Sequence, residues 1–198
     1  MRRMSTIMAY ACATLLVVEI VLVVGSWMLS ALRPDWGLRS LLDGAGVRWL
    51  FRSSTSAFLS PPLVWILLIA MTWGLVGGSG VLHAVGGSYR SRIAVGAAIV
   101  TVVVYVAVIL VLTAVPHAVL LSPTGHLFPS SFSGAIVAVV CLGVSLFALV
   151  FGVASGNCGS MAQVFGSAFR GVALAAPVIV AYLMAAHCWR CLSYIFGL

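Results

Sequence analysis

Between Ile93 and Val115 the chain places no charged residue and hardly a polar one. A run of that length matches the requirement for crossing a bilayer as a helix, about 20 predominantly apolar residues. Further runs of the same character lie at about 7–32, 62–82, 134–154 and 172–194. Composition removes the soluble alternatives. Of the 198 residues, 63% are hydrophobic and 7% charged, against about 25% charged in an average soluble domain. A soluble fold of this size has too little interior to hide so many apolar side chains. A soluble enzyme, a disordered tail and a nucleic-acid-binding domain are therefore excluded.

The charges that remain are unevenly used. Ten arginines and no lysine stand against three acids, Glu19, Asp35 and Asp43, for a net charge of +7. The arginines sit singly or in pairs beside the apolar runs. They read as topology signals and contacts to lipid headgroups, and no nucleic-acid partner is expected. Arg2 and Arg3 place the N-terminus in the cytoplasm, and Arg90, Arg92 and Arg170 then fall on the same side. Arg33–Arg52 is the exception, with four arginines facing out.

The first run opens like a secretory signal peptide. It is longer than one, and Glu19 interrupts its centre, so an uncleaved span is expected. After it, Val47, Leu50, Phe51, Ser54 and Phe58 recur at helical spacing, which predicts an amphipathic or re-entrant helix at about 44–60. Met161, Val164, Phe165 and Phe169 predict a second such piece at about 160–170. Pro177 is expected to bend the last span near its start. The fold class is thus all-α: a polytopic integral membrane protein with about five transmembrane helices and one or two re-entrant or interfacial helices, in a single transmembrane domain over 1–198.

Residues 41–82 carry a more specific signal. They read LLDGAGVRWLFRSSTSAFLSPPLVWILLIAMTWGLVGGSGVL. The order Leu41-Leu42, Gly46, Arg48-Trp49, Phe58, Pro62-Leu63, Gly74 and Ser79-Gly80 resembles the AbgT family, the p-aminobenzoyl-glutamate transporters. Ser88–Pro129 looks like that family's basic turn, apolar helix and loop. Val172–Ala186 looks like its Pro-bearing helix ending in Ala-Ala. The resemblance implies cation-coupled transport of p-aminobenzoyl-glutamate or related aromatic amides across the bacterial cytoplasmic membrane. It departs in three ways. Gly77 stands where the family has an acid before Ser-Gly, His187, Cys188, Trp189, Arg190 and Cys191 replace the family's polar residues after Ala-Ala, and the chain is a shortened form lacking the family's central block and C-terminal part. A homo-oligomer or a partner subunit is therefore expected, in contact with membrane lipids. The alternatives are a non-transporting subunit or anchor of a larger complex, or a decayed transporter fragment.

Several constellations are candidates for chemistry. Glu19 lies near the middle of the first span, where an ionisable group is costly unless paired or wetted. It is either a proton or cation site, or a structural partner for an arginine or a polar contact between helices. Asp43, Arg48 and Arg52 are candidates for an anionic ligand, because Arg offers a bidentate fork, or they hold an interfacial helix against headgroups. Gly74, Gly77, Gly78 and Gly80 bunch at the end of the second span, with a similar pair at Gly152 and Gly156. Such spacing lets helices approach closely or marks a broken helix with free backbone groups for a ligand. Ligand-binding candidates are therefore Glu19, Asp43, Arg48, Arg52, Gly74, Ser79 and Gly80, with Ser79 supplied by the resemblance alone.

Cys188 and Cys191 form a Cys-x-x-Cys at the end of the last span, a candidate redox pair or half a metal site. His117, His126 and Cys158 offer no matching second pair, so no metal and no cofactor are expected. Cys12 and Cys141 read as small apolar side chains. Asn157 and Gln163, the only amides, stay unassigned. No nucleophile elbow, phosphate loop or paired-carboxylate arrangement is present, so no catalytic residue and no enzyme activity are expected.

Overall fold

The computed structural model describes residues 2–37, 39–58, 60–83, 89–114 and 131–197. Among them the regular structure is helical: α1 (Arg2–Leu32), α2 (Gly44–Phe58), α3 (Pro61–Ser79), α4 (Tyr89–Ala114), α5 (Ser131–Ser155) and α6 (Met161–Phe196). All but α2 are long and apolar enough to cross a membrane. The chain is an all-helical membrane protein of the expected class. The loop expected after α4, with His117 and His126, lies outside the described residues.

Two expectations are refined. The amphipathic piece at 160–170 and the span at 172–194 are one continuous helix, α6. Gly171, which lies between them, costs a helix only about 1 kcal/mol. The helix also continues through Pro177, where the Ala173 carbonyl loses its usual i+4 donor. The second concerns α2, whose apolar repeat is split: Val47 and Phe51 are exposed. Gly46 and Ser53 are buried, with Trp49 and Leu50 partly so. In a bilayer an outward Phe or Val costs nothing, because lipid is as apolar as a protein core. The side chains of Ser54 and Phe58 lie outside the described ones.

By internal contacts the chain forms two compact units. The first comprises Met1–Val64 and Ala175–Leu198. Its core is Leu41, Cys191 and Ile195, with Leu22, Val23, Trp49, Leu50 and Tyr194 packed around it. Two hydrogen bonds hold the segment between α1 and α2, and a ring stack holds α2 itself. The Leu41 N–H donates to Ser26 Oγ (3.2 Å). The Arg39 N–H donates to the Ile195 carbonyl (3.3 Å). Trp49 stacks on Tyr194 with ring centroids 4.3 Å apart. Gly46 is required here: a Cβ at this position would stand 2.7 Å from the Leu41 carbonyl oxygen.

The second unit comprises Trp65–Leu174. Ala94, Ala98 and Phe151 form its core, supported by Val81, Val95, Phe147, Val150 and Ala154. The small alanines let α4 lie close to α5. Polar side chains inside the apolar helices are each satisfied. Tyr105 donates its hydroxyl to the Val139 carbonyl (2.8 Å). Thr72 donates to the Leu68 carbonyl (2.8 Å) and lies 3.1 Å from Ser145 Oγ. Among the described residues, no buried side-chain nitrogen or oxygen lacks a partner. This is the condition a bilayer imposes most strictly.

Candidate functional site

Glu19 is equidistant in sequence from Thr6 and Leu32, the bounds of the first candidate span. At the helical rise it lies about 20 Å from either end. Its Oε1 is 2.6 Å from His187 Nδ1, and the Glu19 and His187 side chains are 24% and 18% exposed. The costly carboxylate of α1 is thus paired with an imidazole of α6. Of the two roles open in the sequence, a structural partner is present, and it is a histidine. Unlike an arginine, an imidazole is a side chain that can take up or release a proton.

Both cysteines of the Cys-x-x-Cys are beside this pair. Cys191 Sγ is 3.8 Å from His187 Nδ1, and Cys188 Sγ donates to the Leu15 carbonyl at 3.6 Å. Both are free thiols and both are buried. Their sulfurs have different hydrogen-bond partners, the Leu15 carbonyl for Cys188 and the His187 ring for Cys191. Among the described residues, no group of three or more His, Cys, Asp or Glu is placed to hold a metal.

Asp43, Arg48 and Arg52 do not converge. Arg48 Nε donates to the Gly44 carbonyl of its own helix (3.0 Å), and Arg48 and Arg52 are exposed on α2. Asp43 instead lines a cleft of about 760 Å³ together with Arg39, Trp27, Ser30, Ser40 and Tyr194. One Oδ of Asp43 accepts the Gly44 N–H (2.8 Å). The Arg39 guanidinium lies over the Tyr194 ring, 5.9 Å from its centroid. The cation in the same cleft as Asp43 is thus Arg39, which lies outside the helical repeat of α2 and carries no signal there.

In the second unit Gly74 meets Gly171 directly. A Cβ on Gly74 would stand 2.8 Å from the Gly171 Cα, and one on Gly78 would run into the Ser167 side chain. The Gly74-Gly78 pair of α3 therefore docks on a Ser167-Gly171 pair of α6, both small residues four apart. The second pair was visible in the sequence but was hidden inside the stretch read as an interfacial piece. Ser79 and Gly80 close α3. Gly80 takes φ +77°, the left-handed conformation of a helix C-cap. Asn157 Nδ2 donates to the Ser79 carbonyl (3.0 Å). Asn157 thus caps α3, while Gly74 lies at a close helix contact and Ser79 and Gly80 at the helix end. Gly156, with φ +83°, ends α5 in the same way. There Arg90 Nε donates to the Ala154 carbonyl (3.4 Å), a cation at a helix C-terminus.

No protein-family model, no curated protein and no solved structure matches this chain.

Proposed function

We propose that this membrane protein serves transport across the bacterial cytoplasmic membrane, with Glu19 and His187 as its proton- or cation-handling pair. One observation carries the reading: a carboxylate and an imidazole 2.6 Å apart midway along an apolar spanning helix. Ionisable groups at such depth are expensive, and they mark ion pathways and proton relays. A purely structural contact needs no titratable partner, since Ser, Thr or an amide joins two helices at lower cost.

The substrate class follows from the AbgT-like order of residues 41–82: an aromatic amide bearing a carboxylate, such as p-aminobenzoyl-glutamate. The protein works as a homo-oligomer or with a partner subunit, and carries out no catalysis of its own.

The test is uptake of p-aminobenzoyl-glutamate into proteoliposomes under an imposed pH gradient. The protein is purified with whatever chains accompany it from its native membrane. Gradient-dependent uptake is expected, falling by an order of magnitude or more in Glu19→Gln, which keeps the shape and loses the charge. Absence of gradient-driven uptake, or equal rates in the variant, overturns the reading.

A further inference from the structure

The cleft beside Asp43 uses none of the residues assigned to the proton-handling pair. It lies in the first unit, where α1 and α6 end and α2 begins. Trp27 and Ser30 belong to the closing turns of α1 and Tyr194 to the last turn of α6, while Arg39, Ser40 and Asp43 come from the connecting segment. Trp and Tyr at the ends of spanning helices mark the depth of lipid headgroups. The cleft is therefore open at the interface between hydrocarbon and water.

Its two charges are opposite in sign, and neither is consumed. Among the described residues, neither Arg39 nor Asp43 takes part in an ion pair. Arg39 is held in place through its neighbours: its N–H is tied to the Ile195 carbonyl and its guanidinium rests on the Tyr194 ring. That ring is braced in turn by Trp49. The guanidinium keeps its planar fork of donors for a phosphate or carboxylate. Asp43 gives one oxygen to the Gly44 N–H, which leaves acceptor capacity for an ammonium group. Ser30 and Ser40 add hydroxyls to the lining.

We propose that this cleft binds a phosphate ester carrying a primary ammonium, with the phosphate on Arg39 and the ammonium on Asp43. Two sources offer that chemistry at a membrane surface: the headgroup of phosphatidylethanolamine and a free phosphoethanolamine-type metabolite. The aromatic walls of Trp27 and Tyr194 then cover the carbon chain of either one.

The experiment is native mass spectrometry of the full chain in mild detergent, titrated with phosphatidylethanolamine, phosphatidylcholine and phosphatidylglycerol. Phosphatidylcholine keeps the phosphate but cannot donate a hydrogen bond to Asp43. Phosphatidylglycerol lacks the cation. Occupancy by phosphatidylethanolamine is expected to exceed both by roughly tenfold, the scale of one charge-assisted hydrogen bond. This comparison needs no substitution, so it stands if a variant fails to purify. Arg39→Gln is expected to abolish the bound population, and Asp43→Asn to erase the preference over phosphatidylglycerol. Soluble phosphoethanolamine that displaces the lipid assigns the site to the free metabolite as well. Failure to displace assigns it to the lipid. Equal occupancy by the three lipids, or a preference unchanged in Arg39→Gln, overturns the proposal.

Discussion

His187 Nδ1 lies 2.6 Å from Glu19 Oε1, tying the middle of the first spanning helix to the last. Removing one partner of a half-buried pair leaves an uncompensated charge or donor, whereas replacing both by apolar groups is often tolerated. Glu19→Leu is therefore expected to lower stability by on the order of 3 kcal/mol, read as a fall in thermal midpoint in detergent. The double variant Glu19→Leu/His187→Leu should recover most of that loss. A double variant as unstable as the sum of the singles would show that the two side chains act independently.

Gly171 and Gly77 make a contrasting pair of glycines. A Cβ at Gly171 runs into the Ala70 carbonyl and stands 2.8 Å from the Gly74 Cα, while one at Gly77 meets nothing within 4 Å. Gly171→Ala is expected to cost about 1–3 kcal/mol through overpacking against backbone. Gly77→Ala should stabilise by roughly 0.5–1 kcal/mol, the helical preference of Ala over Gly. Equal effects in the same unfolding assay would remove the α3–α6 contact from the account.

Asn157 offers a sharper test of the α3 cap. Asn157→Ala gives up the bond to the Ser79 carbonyl, worth about 1 kcal/mol. Asn157→Asp should be worse than Ala, because it sets a negative charge against the C-terminal end of a helix dipole. Thermal midpoints of the two variants decide the point, and an Asp variant at or above wild type would exclude the cap.

The cysteines differ in access. Cys191 is fully buried and Cys188 is buried, while Cys158 lies partly exposed in the turn after α5. Alkylation by N-ethylmaleimide, followed by intact mass, is expected to label Cys158 first. Labelling of Cys191 should be roughly a hundredfold slower, the factor set by about 2.8 kcal/mol of local opening. All five cysteines should label after denaturation without reductant. A missing pair of adducts at Cys188 and Cys191 would instead mean an oxidised dithiol.

How far the sequence alone reached follows from the physics of the bilayer. The five spans and α2 were legible because hydrocarbon thickness demands a minimum run of apolar residues, a property of each segment by itself. The cost of Glu19 was legible for the same reason. The inward face of each helix was a different matter. In water an apolar stripe shows which side is buried, but these helices are apolar all round, and their lipid-facing and core-facing surfaces have the same character. Tertiary structure alone therefore decided that His187, and no arginine, meets Glu19. It likewise decided that Arg39 and Asp43 line one cleft while Arg48 and Arg52 are exposed, and that Ser167-Gly171 lies against Gly74-Gly78. Each of these depends on the rotation of a helix about its own axis. Only packing sets that angle, by admitting backbone where side chains are absent and by pairing the few polar groups that lipid cannot satisfy.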